Sequence, residues 1–308
     1  MKANFSREAI SDALSLATSV VPSRTPKPIL RCVHIIASED EVRMCGTDLE
    51  VGINYLVSEV QVEEPGEAVV PADSLAAIVR ESSDEVLSFE VSEGKCEIKG
   101  SDSHFMIYGQ EPGQYPKVPD FEGEAFVELV LSDFQSAISQ CLFATAKEST
   151  RYAINGILWE LRGKKLSLVA TDGRRLARIR LSLPREVSQK AGGPDKSSSL
   201  PQLIVPAKTM SLLEKIGSQE QDTVAVKFHD NQIVISCGNV VISSNLVEGN
   251  FPKYEDIIPK GYEKKLTLST ETALSAVRRA ALLTSEESRG IKLSIGKDTL
   301  VFSGRAPE

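Results

Sequence analysis

The chain repeats itself, and a repeat constrains a fold more than any single motif, because each copy has to bury the same faces. "VVPADSLAAIV" (69–79) matches "IVPAKTMSLLEKI" (204–216), "GQYPKVPD" (113–120) matches "GNFPKYEDIIP" (249–259), and "GTDLEV" (46–51) matches "ATDGRRL" (170–176). The three landmarks keep their order in both copies. Asp48 and Asp172 stand 124 residues apart, and Pro71 and Pro206 stand 135 apart. The extra 11 residues fall in "SQKAGGPDKSSSL" (188–200), whose Gly, Ser and Pro content reads as a flexible surface loop inserted into the second copy. Pro116 and Pro252 are then 136 apart, so the register holds beyond the insert.

A third copy begins near Leu266. "LTLSTETALSAVRRAALLTSEESRGIKLSIGKDTLVFSG" (266–304) follows "LVLSDFQSAISQCLFATAKESTRYAINGILWELRGKKLSLVATDG" (129–173), and the sequence then stops at Glu308, short of the V-P-plus-helix half seen twice before. The repeat therefore predicts a chain truncated at its C-terminal end.

Each copy has the same local grammar. Ile10, Ala13, Leu14, Ala17 and Val20 lie on one helical face. Phe134, Ala137, Ile138, Cys141 and Leu142 repeat the pattern behind Ser132-x-x-Gln135, which reads as a capping box, and Leu274, Val277 and Ala281 repeat it again. Alternating strands follow, such as Leu87, Phe89, Val91 and Val224, Val226, Phe228, joined by short turns at "SEGK" (92–95), "RGKK" (162–165) and "HDNQ" (229–232). The expected fold class is α+β: three tandem two-helix, antiparallel-sheet domains at 1–121, 125–259 and 263–308, the last an N-terminal half.

Composition removes several function classes. The 308 residues are 41% apolar and 25% charged, as in globular proteins, and no apolar run approaches the roughly 20 residues of a membrane helix. "MKANFSREAI" has no apolar signal core, so the expected compartment is cytoplasmic, without membrane association. Five scattered cysteines and three histidines form no recognisable metal-ligand set, and no cofactor is expected. Phosphate-cradling, dinucleotide-binding, metalloprotease and serine-hydrolase motifs are all lacking. A net charge of −8 argues against a wholly basic DNA-binding surface, though not against local basic lining.

The stretch "LVATDGRRLARIR" (168–180) is the one concentrated feature left. Asp172 could be a general base, yet Asp48 occupies the same turn of the first copy, which favours an aspartate bonded to nearby backbone N–H groups. Arg174, Arg175, Arg178 and Arg180 are either a solvated charge run or the rim of a pocket that grips an acidic, apolar peptide.

"GTDLEVGI", "STRYAINGILWE", "VATDGRRLA", "IVPAK" and "EGNFPKYEDIIP", in order and inside a threefold repeat, resemble the bacterial DNA sliding clamp family, the β subunit of DNA polymerase III. The resemblance runs along the whole chain. It implies a non-catalytic, head-to-tail homodimeric ring, with helices lining the hole and sheets outside. It implies duplex DNA through the hole, an ATP-driven clamp loader, and polymerase subunits and other partners tethered by a short peptide. By motif match, the DNA-facing residues would be Arg24, Tyr152 and Lys208, with Lys147 and Arg151, and then Arg278 and Arg279, from position. Asp73 stands where family members carry a basic residue, and Ala153 where some carry a second tyrosine. The peptide pocket would comprise Ile154, Thr171, Gly173, Arg174, Arg175, Leu176, Pro252 and Ile257, with Arg174 where relatives often have His. The subunit contact would join Phe105 and Ile107 of one chain to Leu282 and Leu283 of the other. The alternative reading is a repeat scaffold that binds proteins without encircling DNA. A hydrolase built on Asp172 is a third.

Overall fold

The computed structural model describes residues 1–308 apart from 148–152, 187–202, 218–221, 230, 260, 262–263, 285–289 and 305–308. The insert at 188–200 thus lies outside the described residues. The first copy runs β1 (Lys2–Ser6), α1 (Arg7–Val20), β2 (Cys32–Ala37), β3 (Val42–Thr47), β4 (Val51–Val57), β5 (Val60–Glu64), β6 (Gly66–Pro71), α2 (Ala72–Glu81), β7 (Val86–Ser92), β8 (Lys95–Lys99) and β9 (His104–Tyr108). The second runs β10 (Val127–Val130), α3 (Leu131–Ser139), β11 (Gly156–Arg162), β12 (Lys165–Thr171), β13 (Leu176–Ser182), β14 (Leu203–Pro206), α4 (Ala207–Lys215), β15 (Thr223–His229), β16 (Gln232–Cys237) and β17 (Val240–Asn245). The third supplies α5 (Thr270–Ala281), β18 (Ile291–Ile295) and β19 (Leu300–Gly304).

The pairing scheme repeats as the sequence does. In the first copy β1 pairs with β7, β7 with β8, and β8 with β9. Its second sheet pairs β6 with β2, β2 with β3, and β3 with β4. In the second copy β10, β15, β16 and β17 pair in the same sequence, as do β14, β11, β12 and β13. Every one of these pairs is antiparallel. The expected α+β class is what the chain adopts.

The two copies share a sheet. β17 pairs with β4, placing Ile242 opposite Ile53 and Ser243 opposite Gly52, so that eight strands run continuously across the junction. Gly52 is required there, because a Cβ would lie 2.7 Å from Val118 Cγ1 and 2.8 Å from Ser243 Oγ. For that reason residues 1–252 form one compact unit holding two copies, and residues 253–308 form another.

Both copies bury the faces the periodicity selects. Ile10, Ala13, Leu14, Ala17 and Val20 of α1 are buried, as are Phe134, Ala137 and Ile138 of α3. Phe134 meets Trp159 edge-on at 5.3 Å, and Phe5 meets Phe89 at 4.8 Å. The connectors repeat too, since Tyr115 and Phe251 hold equivalent positions and both are buried. Tyr115 Oη donates to the Cys32 carbonyl at 3.1 Å, fastening the first connector across β2.

Two local expectations are corrected. The Ser132-x-x-Gln135 capping box does not form: α3 starts at Leu131, and no side chain caps it. Gln135 Nε2 instead donates to the carbonyls of Leu213 at 2.8 Å and Ile216 at 2.9 Å, satisfying the open end of α4. The periodic face of α5 forms its helix, capped by Ser269, but none of its described residues is buried. Among the described residues of this unit, α5 has only β18 and β19 beside it, whereas α3 also packs against a second helix.

Candidate functional site

The turn after β12 is built by its own side chains. Thr171 Oγ1 donates to the Arg175 carbonyl at 2.7 Å and accepts from Gly173 N at 3.1 Å. Asp172 Oδ1 accepts from the backbone N–H groups of Arg174 and Arg175, both at 3.0 Å. Those two backbone bonds, followed by the Arg175 side chain, hold its carboxyl below the usual carboxylate range. The first copy makes the same turn: Thr47 Oγ1 donates to the Val51 carbonyl, and Asp48 Oδ1 accepts from Glu50 N at 2.9 Å and Val51 N at 2.7 Å. Gly173 has φ +85°, and its counterpart Leu49 is forced to φ 80°. Backbone donors hold the aspartate in both copies, which makes it a structural group of its turn, and in the second copy they favour the charged form of Asp172.

What differs is the arginine pair. Arg175 Nε donates to Asp172 Oδ2 at 3.0 Å, and its guanidinium lies 5.1 Å from the Phe143 ring centre while also donating to the Phe143 carbonyl. Arg174 is exposed beside it. Arg178 faces Glu160 at 3.6 Å along the sheet. The outcome is an exposed aromatic ring and an arginine plane next to the partly buried Leu176. Cation–π stacking of this kind suits an acidic and apolar peptide.

The other residues selected from sequence are placed as follows. Ala153 N donates to the Asn250 carbonyl at 3.3 Å, which brings the buried Ile154 beside the segment leading to Pro252. β11 starts two residues past Ile154 and pairs with β12, whose last residue is Thr171. Thr171, Gly173, Arg174, Arg175, Leu176, Ile154 and Pro252 therefore all belong to the first unit. Ile257 belongs to the second and is exposed. Phe143 was not selected from sequence. It lies in the short 3-10 turn Leu142–Ala144 after α3, beyond the helix whose period could have oriented it.

β9 is the last strand of its sheet, in the order β5-β1-β7-β8-β9. Phe105 on it is exposed and Ile107 packs against the core. Met106 and Tyr108, not selected from sequence, are exposed there as well. Leu282 and Leu283 follow α5 in the second unit and are 80% and 66% exposed. Arg24, Lys147, Arg278 and Arg279 are exposed, whereas Arg151 and Tyr152 lie outside the described residues. Lys208, expected to meet phosphate, has its ammonium on Asp48 Oδ2 at 2.6 Å and on the Val20 carbonyl at 3.0 Å. Among the described residues, no group of His, Cys, Asp or Glu side chains is placed to hold a metal ion, and no helix is long and apolar enough to cross a membrane.

Three family descriptions match the chain end to end. The DNA polymerase III beta subunit N-terminal domain matches residues 1–119, the central domain 128–253, and the C-terminal domain 255–308. The beta sliding clamp of Pseudomonas putida is 31% identical over the whole of this chain, which covers 82% of that protein, and that of Staphylococcus epidermidis is 28% identical over 81%. Among solved structures, the DNA polymerase sliding clamp of Bacillus subtilis superposes with a TM-score of 0.88 at 26% identity, and a Pseudomonas aeruginosa clamp bound to griselimycin with 0.87 at 30%. Each covers 100% of this chain, which spans 81% of each of them.

Proposed function

The chain belongs to the DNA polymerase III beta subunit family, the sliding clamps, and from that premise we propose that two copies close head to tail into a ring that encircles duplex DNA and tethers polymerase to it. It is a non-catalytic processivity factor of DNA replication. The observation that carries the ring is the internal junction. β17 of one copy adds to the free edge of β4 in another, and β9, the equivalent of β17, is left at the end of its sheet with Phe105, Met106 and Tyr108 exposed. An unpaired edge of this kind seeks a strand, and a heterologous contact made twice closes a ring. Phe105 and Ile107 would meet Leu282 and Leu283 of the other chain across it.

Duplex DNA would pass the helix side. On a chain of net charge −8, a few side chains would meet phosphates loosely enough to slide: Arg24 and Tyr152 by motif match, and Lys147 and Arg151 by position. Polymerase subunits and other partners would dock by a short acidic and apolar peptide on Arg174, Arg175, Leu176, Ile154, Thr171, Gly173 and Pro252, with Ile257 a candidate by motif match alone. A clamp loader would open and place the ring.

Primer extension on a long single-stranded circle, with loader and polymerase, tests the tether. The expected result is products lengthened many-fold by the wild-type chain and short products with Arg175→Ala at unchanged loading. Equal product lengths with and without the wild-type chain would favour a protein-binding scaffold instead.

A further inference from the structure

Lys208 sits at the first position of α4 but one, and its side chain leaves the second copy to end on the first. Its Nζ donates to Asp48 Oδ2 at 2.6 Å and to the Val20 carbonyl at 3.0 Å. Val20 is the last residue of α1, where helix carbonyls lack partners and the helix dipole favours a cation. Asp48 meanwhile uses Oδ1 to hold its own turn, so its two oxygens divide between turn and lysine. The neighbouring residue, Thr209, is buried and donates to Ser244 Oγ on β17 at 2.7 Å. Asn245, next along β17, donates to Glu50 Oε2 at 3.0 Å, and its N–H reaches the Glu50 carbonyl at 2.9 Å. The end of the shared sheet is thus stitched from α4 to β17 and from both to the turn before β4.

We propose that Lys208 is a positioning residue for the junction between the first two copies, and that Asp48 withholds its charge from DNA. The sequence supplies a control within the chain. The position equivalent to Lys208 in the first copy is Asp73, which faces Arg31 at 3.7 Å. The V-P-A helix start therefore does not by itself demand a cation; the lysine occurs where the first copy's turn lies in reach. The side chain is 42% exposed and Asp48 is 19% exposed, so the pair is at the surface yet occupied.

Two readings separate this from a phosphate-binding lysine. In the full chain, Lys208→Gln should speed amide exchange along β4 and β17 roughly fivefold, the factor set by the upper range for an exposed ion pair. Lys208→Arg should stay at the wild-type rate, as should β1 and β7 amides in both variants. Unchanged β4 and β17 exchange in Lys208→Gln would overturn the junction role. The second reading is the salt dependence of binding to a short duplex, and this half rests on the clamp assignment. Asp48→Asn keeps an oxygen for its turn and frees the lysine, so the log–log slope should steepen by about 0.9, one phosphate. Lys208→Gln should leave the slope at the wild-type value; a slope shallower by about 0.9 in Lys208→Gln would overturn the withheld charge. Failure of the wild-type chain to bind duplex at all would count against the clamp assignment, while the exchange reading still decides the junction.

Discussion

At the scale of single residues, the Thr-Asp turn explains more than its charge does. The same backbone is held at φ near +80° in both copies, by glycine in one and leucine in the other. Gly173→Ala should therefore cost ~1–2 kcal/mol in a denaturant titration, the penalty for an L-residue in the left-handed region, although a Cβ there would meet nothing within 4 Å. The Asp172 carboxyl carries a depressed pKa in the folded chain, so its contribution is complete above the unfolded value of about 3.9 and is lost as pH falls through the lower folded value. Corrected for intrinsic rates, exchange of the Arg174 and Arg175 amides should quicken across that acid window in the wild type and stay level in Asp172→Asn. The cysteines make a third case. Burial pushes the Cys45 and Cys96 thiols up to about 12 and Cys141 and Cys237 up to about 11. At pH 8 iodoacetamide should label none of these four in the native chain and all of them in denaturant.

At the scale of elements, sequence and structure agree wherever a period is backed by a partner. The faces of α1 and α3 were legible because their apolar residues are covered by strands and by α2 and α4. α5 was legible as a helix but not as a surface, because periodicity reports which face would be buried and not whether anything covers it. Gln135 misled for a related reason: the capping-box spacing was right, but its amide found two open carbonyls at the end of α4, long range in sequence and invisible to a local pattern. The β4–β17 pairing could not be read from either strand, since a strand's own sequence does not name its partner across the copies. It places Ile53 and Ile242 opposite each other, both buried, so Ile53→Ala should lower stability by about 2–5 kcal/mol in the same titration. The segment from Lys253 onward, where α5 buries none of its described residues, should be the first released by limited proteolysis, with the fragment ending near Pro252 persisting.

At the scale of the whole molecule, the proposed ring would work through closure and not through a reactive group. The repeat of the first two copies was legible from three landmarks, and the strand pairing of both copies follows the same order. Of the candidate site, the turn was legible because its residues are contiguous, whereas Phe143 reaches Arg175 from an earlier segment. A net charge of −8 is compatible with the proposed hold on DNA, since topology rather than affinity would retain the duplex. That claim has a direct test. The protein is loaded onto a nicked circular duplex by a clamp loader, passed through a sizing column in moderate salt, and passed again after the circle is cut once. The account predicts that the protein travels with the intact circle and leaves the linear product; equal loss from both, or equal retention on both, would contradict it.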